Sequence, residues 1–243
     1  MNIVIDIGNS FIKISVFNKN DEVHSSVKEN LDSDYLSGII TKYKIASGIL
    51  SSVRGDVGNV VKYLQKTLTD FIILTHTTPL PFVNTYLTKE TLGKDRLAGI
   101  AGAFTLYPDE NVLVIDAGTA ITYDVITQSG EYIGGNISAG LEMRFKALHQ
   151  FTHQLPHLKP VNSWNRLGNS TDSAIIAGVQ NGIILEVDGT IERIKNEFYP
   201  LKVLLTGGNA DFFDNKLKNT IFVVPNLISV GLNSILNYNV KNN

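Results

Sequence analysis

The sequence predicts an α/β fold made of two tandem modules, each a mixed β-sheet flanked by helices. The first observation behind this is an internal likeness. Asn2-Ile3-Val4-Ile5-Asp6-Ile7-Gly8-Asn9-Ser10 runs into the β-rich segment 11–17, and Val112-Leu113-Val114-Ile115-Asp116-Ala117-Gly118-Thr119-Ala120 runs into 121–126. Both read as strand, Asp-x-Gly-polar turn, strand. The second observation is that these apolar runs are short, β-branched and bounded by Gly, which favours buried strands over helix. The third is that helix and strand signals alternate after each hairpin, so each sheet gains parallel as well as antiparallel neighbours. The joint falls at Tyr107-Pro108-Asp109-Glu110-Asn111, placing residues 1–108 in one module and 109–243 in the other.

In the first module the pattern gives a third strand at Glu22–Lys28, an amphipathic helix at Ser33–Tyr43 and a strand at Ile45–Ser51. A helix at Val57–Leu68 and a strand at Phe71–Leu74 follow, and then a Pro-stiffened connection, Thr77-Thr78-Pro79-Leu80-Pro81-Phe82. The second module repeats the order. A strand near Tyr132–Ile137 leads to a helix after Gly140, a long helix from Thr171 to about Phe198, and a strand at Lys202–Leu205. A helix near Ala210–Asn215, a strand at Thr220–Val224 and a closing helix at Leu227–Asn239 complete it.

Composition narrows the function classes. With 43% hydrophobic and 18% charged residues in 243, the chain can bury a real core and reads as a compact globular protein. Lys+Arg 21 against Asp+Glu 23, with no basic run, lacks the phosphate attraction on which nucleic-acid binding rests. Zero cysteines exclude disulfides, thiolate metal sites and Cys nucleophiles, and suit a reducing compartment. No apolar run reaches ~18 residues and Met1–Asp6 has no basic region ahead of it, so the expectation is a cytoplasmic protein with no membrane span and no signal peptide.

The chemistry concentrates in a few segments. A carboxylate ending a buried strand is costly unless a cation or hydrogen-bond donors satisfy it. Asp6 and Asp116 both end such strands, each before a Gly turn whose N–H groups suit an anion, with Asn9 or Thr119 adding a side-chain donor. Two such turns suit a polyphosphate and a metal ion. Lys13, on the strand leaving the first turn, offers a point charge for a transferring phosphate. In Gly93-Lys94-Asp95-Arg96-Leu97-Ala98, Asp95 is either an N-cap beside a surface Arg96, or a general base with Arg96 holding an anionic substrate group. Lys94 reads as a solvated side chain. Gly134-Gly135-Asn136-Ile137-Ser138-Ala139-Gly140 brings backbone near a ligand or is a bulged strand end. Thr206-Gly207-Gly208-Asn209 leads from strand to helix, a geometry suited to a nucleotide. Thr171, after Gly168-Asn169-Ser170, opens its helix, with N-capping as its structural explanation. His149 and His153 lack the acidic partner of a zinc helix, His76 and His157 lack a nameable partner, and Trp164 reads as packing.

The order Asp6-x-Gly8-Asn9-Ser10-x-x-Lys13, Asn84-x-Tyr86, Gly93-x-Asp95-Arg96-x-Ala98, Asp116-x-Gly118-Thr119-Ala120-x-Thr122, Gly134-Gly135-x-Ile137-x-x-Gly140 and Thr206-Gly207-Gly208 resembles the type III pantothenate kinases over nearly the whole chain. That family belongs to the actin, sugar-kinase and heat-shock ATPase superfamily. The resemblance implies two ribonuclease-H-like modules with ATP between the Asp6 and Asp116 turns. It also implies phosphorylation of pantothenate to 4'-phosphopantothenate, the first step of coenzyme A synthesis. By position it makes Asp95 the proton acceptor, and Tyr86, Gly93, Lys94, Asp95, Arg96 and Thr171 the pantothenate contacts. Asp6, Gly8, Asn9, Ser10, Lys13, Thr119, Gly207 and Gly208 would hold ATP. Asp6 would organise magnesium, in direct contact or through water, and Asp116 would bind potassium or ammonium. A homodimer with its active site at the interface is implied, for which Gly178, Gly182 and the apolar face of the Thr171 helix are suited. Where relatives commonly carry Pro, this chain has Ala139, which would only relax a turn. The alternative is a regulatory relative that keeps the fold and binds nucleotide or a partner protein without turnover. A sugar kinase fits less well, because two minimal modules leave little chain for a sugar-binding insertion.

Overall fold

The computed structural model describes residues 1–8, 11–54 and 58–241. In chain order the elements are β1 (Asn2–Ile7), β2 (Ile12–Asn18), β3 (Asp21–Lys28), α1 (Ser33–Tyr43), β4 (Ser47–Ser52), α2 (Gly58–Thr67), β5 (Asp70–Ile73), β6 (Val83–Asn84) and α3 (Lys94–Leu106). They continue with β7 (Asn111–Ala117), β8 (Ala120–Ile126), β9 (Glu131–Ala139), α4 (Leu141–Gln150), α5 (Thr171–Glu197), β10 (Leu201–Thr206), β11 (Phe222–Val223) and α6 (Leu227–Lys241). The helix expected near Ala210–Asn215 is instead a four-residue 3-10 turn, Ala210–Phe213. It is too short for the helix-start anion site that the strand-to-helix reading gave it. The two-residue strand β6, next to the prolines, carried no period to reveal it.

The chain divides into two compact units. Unit 1 comprises Met1–Pro108, Gly130–Tyr132 and Asn226–Asn243, and unit 2 comprises Asp109–Ser129 and Ile133–Pro225. The closing helix, placed by sequence with residues 109–225, therefore lies in unit 1.

One sheet has five strands in the order β3-β2-β1-β4-β5, and the other repeats that order as β9-β8-β7-β10-β11 with β6 added beyond β9 as a sixth strand. In both, the first strand pairs antiparallel with the second and parallel with the strand that returns after the helices. Strand β1 is buried on both faces, with Ile3, Val4 and Ile5 fully covered, which explains its continuous rather than alternating apolar run. The core of unit 1 gathers Ile3, Ile5, Ile14, Leu36, Leu50 and Leu64. That of unit 2 gathers Leu113, Ile115, Tyr123, Phe145, Ile183, Val187 and Leu205.

Helix α5 is the one helix among the described residues that is long and apolar enough, at mean hydropathy 1.2, to cross a membrane by length and composition alone. Its apolar character has a local cause: Ile175, Val179, Ile183, Val187 and Ile191 recur every four residues and all lie buried in the unit 2 core. In unit 1, α3 and α6 cross at close range. A Cβ added to Gly231 would overlap the Ala98 carbonyl, and one added to Gly102 would overlap that of Leu227. The small-residue run of α3 is thus a packing surface for α6, and the Thr105 hydroxyl donates to Ser234 Oγ across it at 2.7 Å.

Candidate active site

In unit 1 the candidate residues sit at the ends of β1 and β4 and at the start of α3. The β1–β2 hairpin turns at Gly8, whose N–H donates to the Phe11 carbonyl at 3.0 Å. Asp6 pairs with Lys13 on β2 and, on its other side, with Ser51 on β4. Residues paired directly across neighbouring strands share a sheet face, so Lys13, Asp6 and Ser51 form a row. The last residue of β4 and the two that follow it brace this row. Val53 N–H donates to Ile7 O at 3.0 Å, Arg54 Nε donates to Gly8 O at 2.8 Å, and Lys94 Nζ donates to Ser52 O at 3.0 Å. Lys94 is therefore not the solvated side chain its sequence context implied: its long stem spans from α3 to the strand end.

Helix α3 has Gly93 as its N-cap, without a side-chain cap, so the N-cap reading of Asp95 fails. Asp95 lies inside the first turn, and its Oδ1 accepts from Arg96 N–H at 2.8 Å. The carboxylate folds over Gly93 so closely that a Cβ there would overlap Oδ1, which gives that glycine a steric reason. Arg96 is only 6% exposed, not a surface neighbour. Its guanidinium carbon stands 5.4 Å from the centre of the Tyr86 ring, a cation–π distance. Tyr86 is placed by its own N–H donating to Asn84 Oδ1 at 3.0 Å.

Burial pushes the Asp6 carboxyl up from an ordinary 3.8 to about 6, the Ser51 hydroxyl opposes this, the Asp95 charge adds to it, and Lys13 opposes it. Among the described residues the buried Ser51 Oγ has no well-formed hydrogen bond, yet it lies near enough to Asp6 to favour the charged form. Asp6 and Asp95 thus feel each other's charge, a like-charge pair flanked by one lysine.

Unit 2 contains the second turn. Asp116 pairs with Thr122 on β8 and with Thr206 on β10, the counterpart of the Lys13–Asp6–Ser51 row. Gly118 N–H donates to Ala120 O, two residues on, at 3.0 Å, where Gly8 in the first hairpin donates three residues on, and Thr119 is exposed at the tip. Gly207 adopts φ +97°, and a Cβ there would overlap Asp116 Oδ1. Asn209 N–H donates to Ala117 O at 2.9 Å and its side-chain amide donates to Gly118 O at 3.3 Å. Gly140 also presses on this turn, where a Cβ would overlap the Gly118 and Thr119 carbonyls. Gly208 is exposed with open space around it. Thr171 is the first residue of α5, but the cap is Ser170, in a capping box with Ser173.

The structure thus gathers Asp6, Lys13, Gly93, Lys94, Asp95 and Arg96 with Tyr86 in unit 1, and Asp116, Thr119 and Gly207 in unit 2. Asn9 and Ser10 lie outside the described residues. Sequence reasoning missed Ser51, Ser52 and Arg54, because their relevance depends on the parallel register of β4 against β1. Among the described residues no group of three His, Asp or Glu side chains is placed to hold a metal ion. His149 instead stacks on His157, with ring centres 5.5 Å apart, and donates from Nδ1 to Leu155 O at 2.7 Å; His153 lies beyond the end of α4. Trp164 stacks on Phe212 and donates to Asn181 Oδ1 at 2.9 Å.

Comparison with known proteins decides the family. The family model described as type III pantothenate kinase matches residues 2–193. The chain belongs to the type III pantothenate kinases. Type III pantothenate kinases of Bacteroides fragilis and Christiangramia forsetii are each 43% identical to it, over 98% of this chain and 98% and 99% of theirs. Among solved structures, a Campylobacter jejuni protein provisionally described as a conserved Baf family transcriptional activator superposes with TM-score 0.62 at 25% identity. That match covers 98% of this chain and 99% of the other. A glucokinase from an Antarctic psychrotroph superposes with TM-score 0.56 at 10% identity, covering 98% of each chain, a likeness of fold alone. As a type III pantothenate kinase the protein is a phosphotransferase that takes ATP as co-substrate.

Proposed function

We propose that the chain phosphorylates pantothenate from ATP with Asp95 as its general base, making 4'-phosphopantothenate for coenzyme A synthesis. The observation that carries this role is the Asp95 carboxylate, folded over Gly93 at the head of α3 and close enough to Asp6 for their charges to interact. The terminal hydroxyl of pantothenate gives its proton to Asp95 as its oxygen bonds to the γ-phosphorus, and the bond from that phosphorus to the bridging oxygen of ADP breaks. Phosphoryl transfer depends mainly on positioning and charge stabilisation, so an ordinary carboxylate suffices. Arg96, fixed over Tyr86, offers its planar donor fork to the substrate carboxylate. Tyr86, Gly93, Lys94 and Thr171 complete the assigned pantothenate contacts. Lys13 and the backbone donors of both hairpin turns, with Asn9, Ser10, Thr119, Gly207 and Gly208, are assigned to ATP phosphates.

The residues fit the two cations. Asp6 is a buried carboxyl beside a second acid, so magnesium near it would relieve both desolvation and repulsion. When bound, magnesium neutralises charge on the transferring phosphates. The Asp116 carboxylate lies in a cradle that a Cβ at Gly207 would fill, which suits potassium or ammonium. A homodimer is supported by the open outer face of α5, where Leu185 is 65% exposed and a Cβ at Gly178 or Gly182 would meet nothing. ATP use and zero cysteines fit the cytoplasm.

The test is a coupled ATP-consumption assay with pantothenate and magnesium, run in potassium and in sodium. Potassium-dependent turnover is expected. A folded dimer with no turnover in either salt would overturn the kinase reading in favour of a regulator.

A further inference from the structure

We propose that Tyr132 is a positioning residue for pantothenate: through its ring it fixes Tyr86, and through Tyr86 the Arg96 guanidinium. The proposal rests on the reading of Tyr86 and Arg96 as substrate contacts. Residues Gly130–Tyr132 belong to unit 1 although both flanking stretches of chain belong to unit 2. What holds them is a short parallel ladder, Val83↔Glu131 and Asn84↔Tyr132. Val83 N–H donates to Gly130 O at 2.9 Å, and the Tyr132 carbonyl accepts twice, from Thr85 N–H at 3.1 Å and from Thr85 Oγ1 at 2.7 Å. The backbone of Tyr132 therefore registers the residue immediately before Tyr86.

The side chains repeat that coupling. The Tyr86 and Tyr132 rings lie parallel within 3°, with centres 6.0 Å apart, an offset stack. Beyond them Phe82 meets Tyr132 edge-on at 6.5 Å and 87°, and Phe104 on α3 meets Phe82 at 6.4 Å. Arg96 caps the other end, over Tyr86. The column begins and ends on α3, so the helix that carries Asp95 and Arg96 is tied to Tyr86 through the rings between. Tyr132 has no exposed surface, so it reaches the substrate only through its neighbours, and Tyr86 is the candidate substrate contact that stacks on its ring.

Steady-state kinetics on full-length Tyr132→Phe, Tyr132→Leu, Thr85→Val and Arg96→Gln, varying pantothenate and ATP separately, test this. Tyr132→Phe keeps the ring and should hold KM for pantothenate within about twofold of the parent. Tyr132→Leu loses the stack and should raise that KM by roughly 3- to 10-fold, from the strength of an aromatic pair, with kcat and KM for ATP within about twofold. Thr85→Val keeps the β-branched shape but removes one bond to the Tyr132 carbonyl, and should raise the same KM by about 2- to 4-fold. It decides the matter if Tyr132→Leu does not fold. A folded Tyr132→Leu, or failing that Thr85→Val, with parental KM for pantothenate overturns the proposal. So does a fall in kcat together with a rise in both KM values, the mark of a general structural role. If Arg96→Gln also leaves KM for pantothenate unchanged, the substrate-site reading itself falls; if Arg96→Gln raises it while the Tyr132 and Thr85 variants do not, only the role of Tyr132 falls.

Discussion

Replacing Asp6 with Asn should stabilise the ligand-free protein while disabling it, and the pH at which the gain emerges follows from the titration of the carboxyl. Burial raises that group from 3.8 to about 6, so the native state binds its proton more tightly than the unfolded chain does. Its contribution to stability is therefore full below about pH 4 and is lost as pH rises through about 6. A gap of about two pH units corresponds to about 3 kcal/mol at neutral pH. Asp6 keeps part of its surface in contact with solvent, and screening reduces the figure to about 1–2 kcal/mol. Asn has the same shape and no charge, so the variant avoids the loss at pH 7.5 and gains nothing at pH 4. At about 2–4 °C per kcal/mol for a chain of this size, its Tm should exceed that of the parent by roughly 2–8 °C at pH 7.5. The two values should converge towards pH 4. Calorimetric melts of the nucleotide- and metal-free proteins across this range measure the gap, and kcat for the variant should fall at least about 100-fold. Equal melting temperatures at pH 7.5, or a gap that widens towards acid, would refute the reasoning.

Three further outcomes follow from the geometry. Asp95→Asn should lower kcat by about 100- to 10,000-fold, the usual worth of a positioned base, with an unchanged circular dichroism spectrum; near-normal kcat would assign the proton to another group. Gly231→Ala in α6 gains up to about 1 kcal/mol of helix propensity but forces a methyl into the Ala98 carbonyl, where overpacking costs about 1–3 kcal/mol or more, so the net effect is a loss. Gly38→Ala on the exposed side of α1 meets nothing and should raise Tm, so opposite signs in thermal melts are expected for the two glycines. Asp188→Ala should cost about 1–3 kcal/mol in urea unfolding, because the carboxylate accepts from Lys218 N–H at 3.0 Å and from Asn219 N–H at 3.3 Å, and both donors lose that partner; a midpoint equal to the parent's would show that water replaces it.

Much of the fold is legible in the residues because its strongest signals are local. The two Asp-x-Gly hairpins declare themselves through β-branched runs around a glycine, and α1 spans Ser33–Tyr43 as its amphipathic period predicts. What was not legible depends on long-range pairing. Ser51 gains its meaning only from the parallel register that sets it beside Asp6, and nothing local to residues 130–132 shows that they pair with 83–84. Lys94 was misjudged for a related reason, since its partner is a backbone carbonyl 42 residues away. Of the two readings open for Arg96, the surface neighbour fails because the Tyr86 ring, on a loop, lies over its guanidinium, a contact no local pattern shows. The pairing of Gly93 with Asp95 is legible because they are two residues apart, and that spacing carries a steric requirement: a Cβ at Gly93 would overlap the Asp95 carboxylate.

The return of α6 to unit 1 has a consequence for synthesis. A nascent chain that has emerged through β11 already contains the whole first hairpin, the Asp95 helix and the aromatic column, yet the face of α3 around Ala98 and Gly102 is still bare. Residues 226–241 are what cover it, and the Asn2 amide reaches Asn233 and Asn237 at 2.8 Å only once they arrive. Synthesis must therefore reach residues 226–241 before this face of α3 is covered, and until then the face stays open to proteases and chaperones.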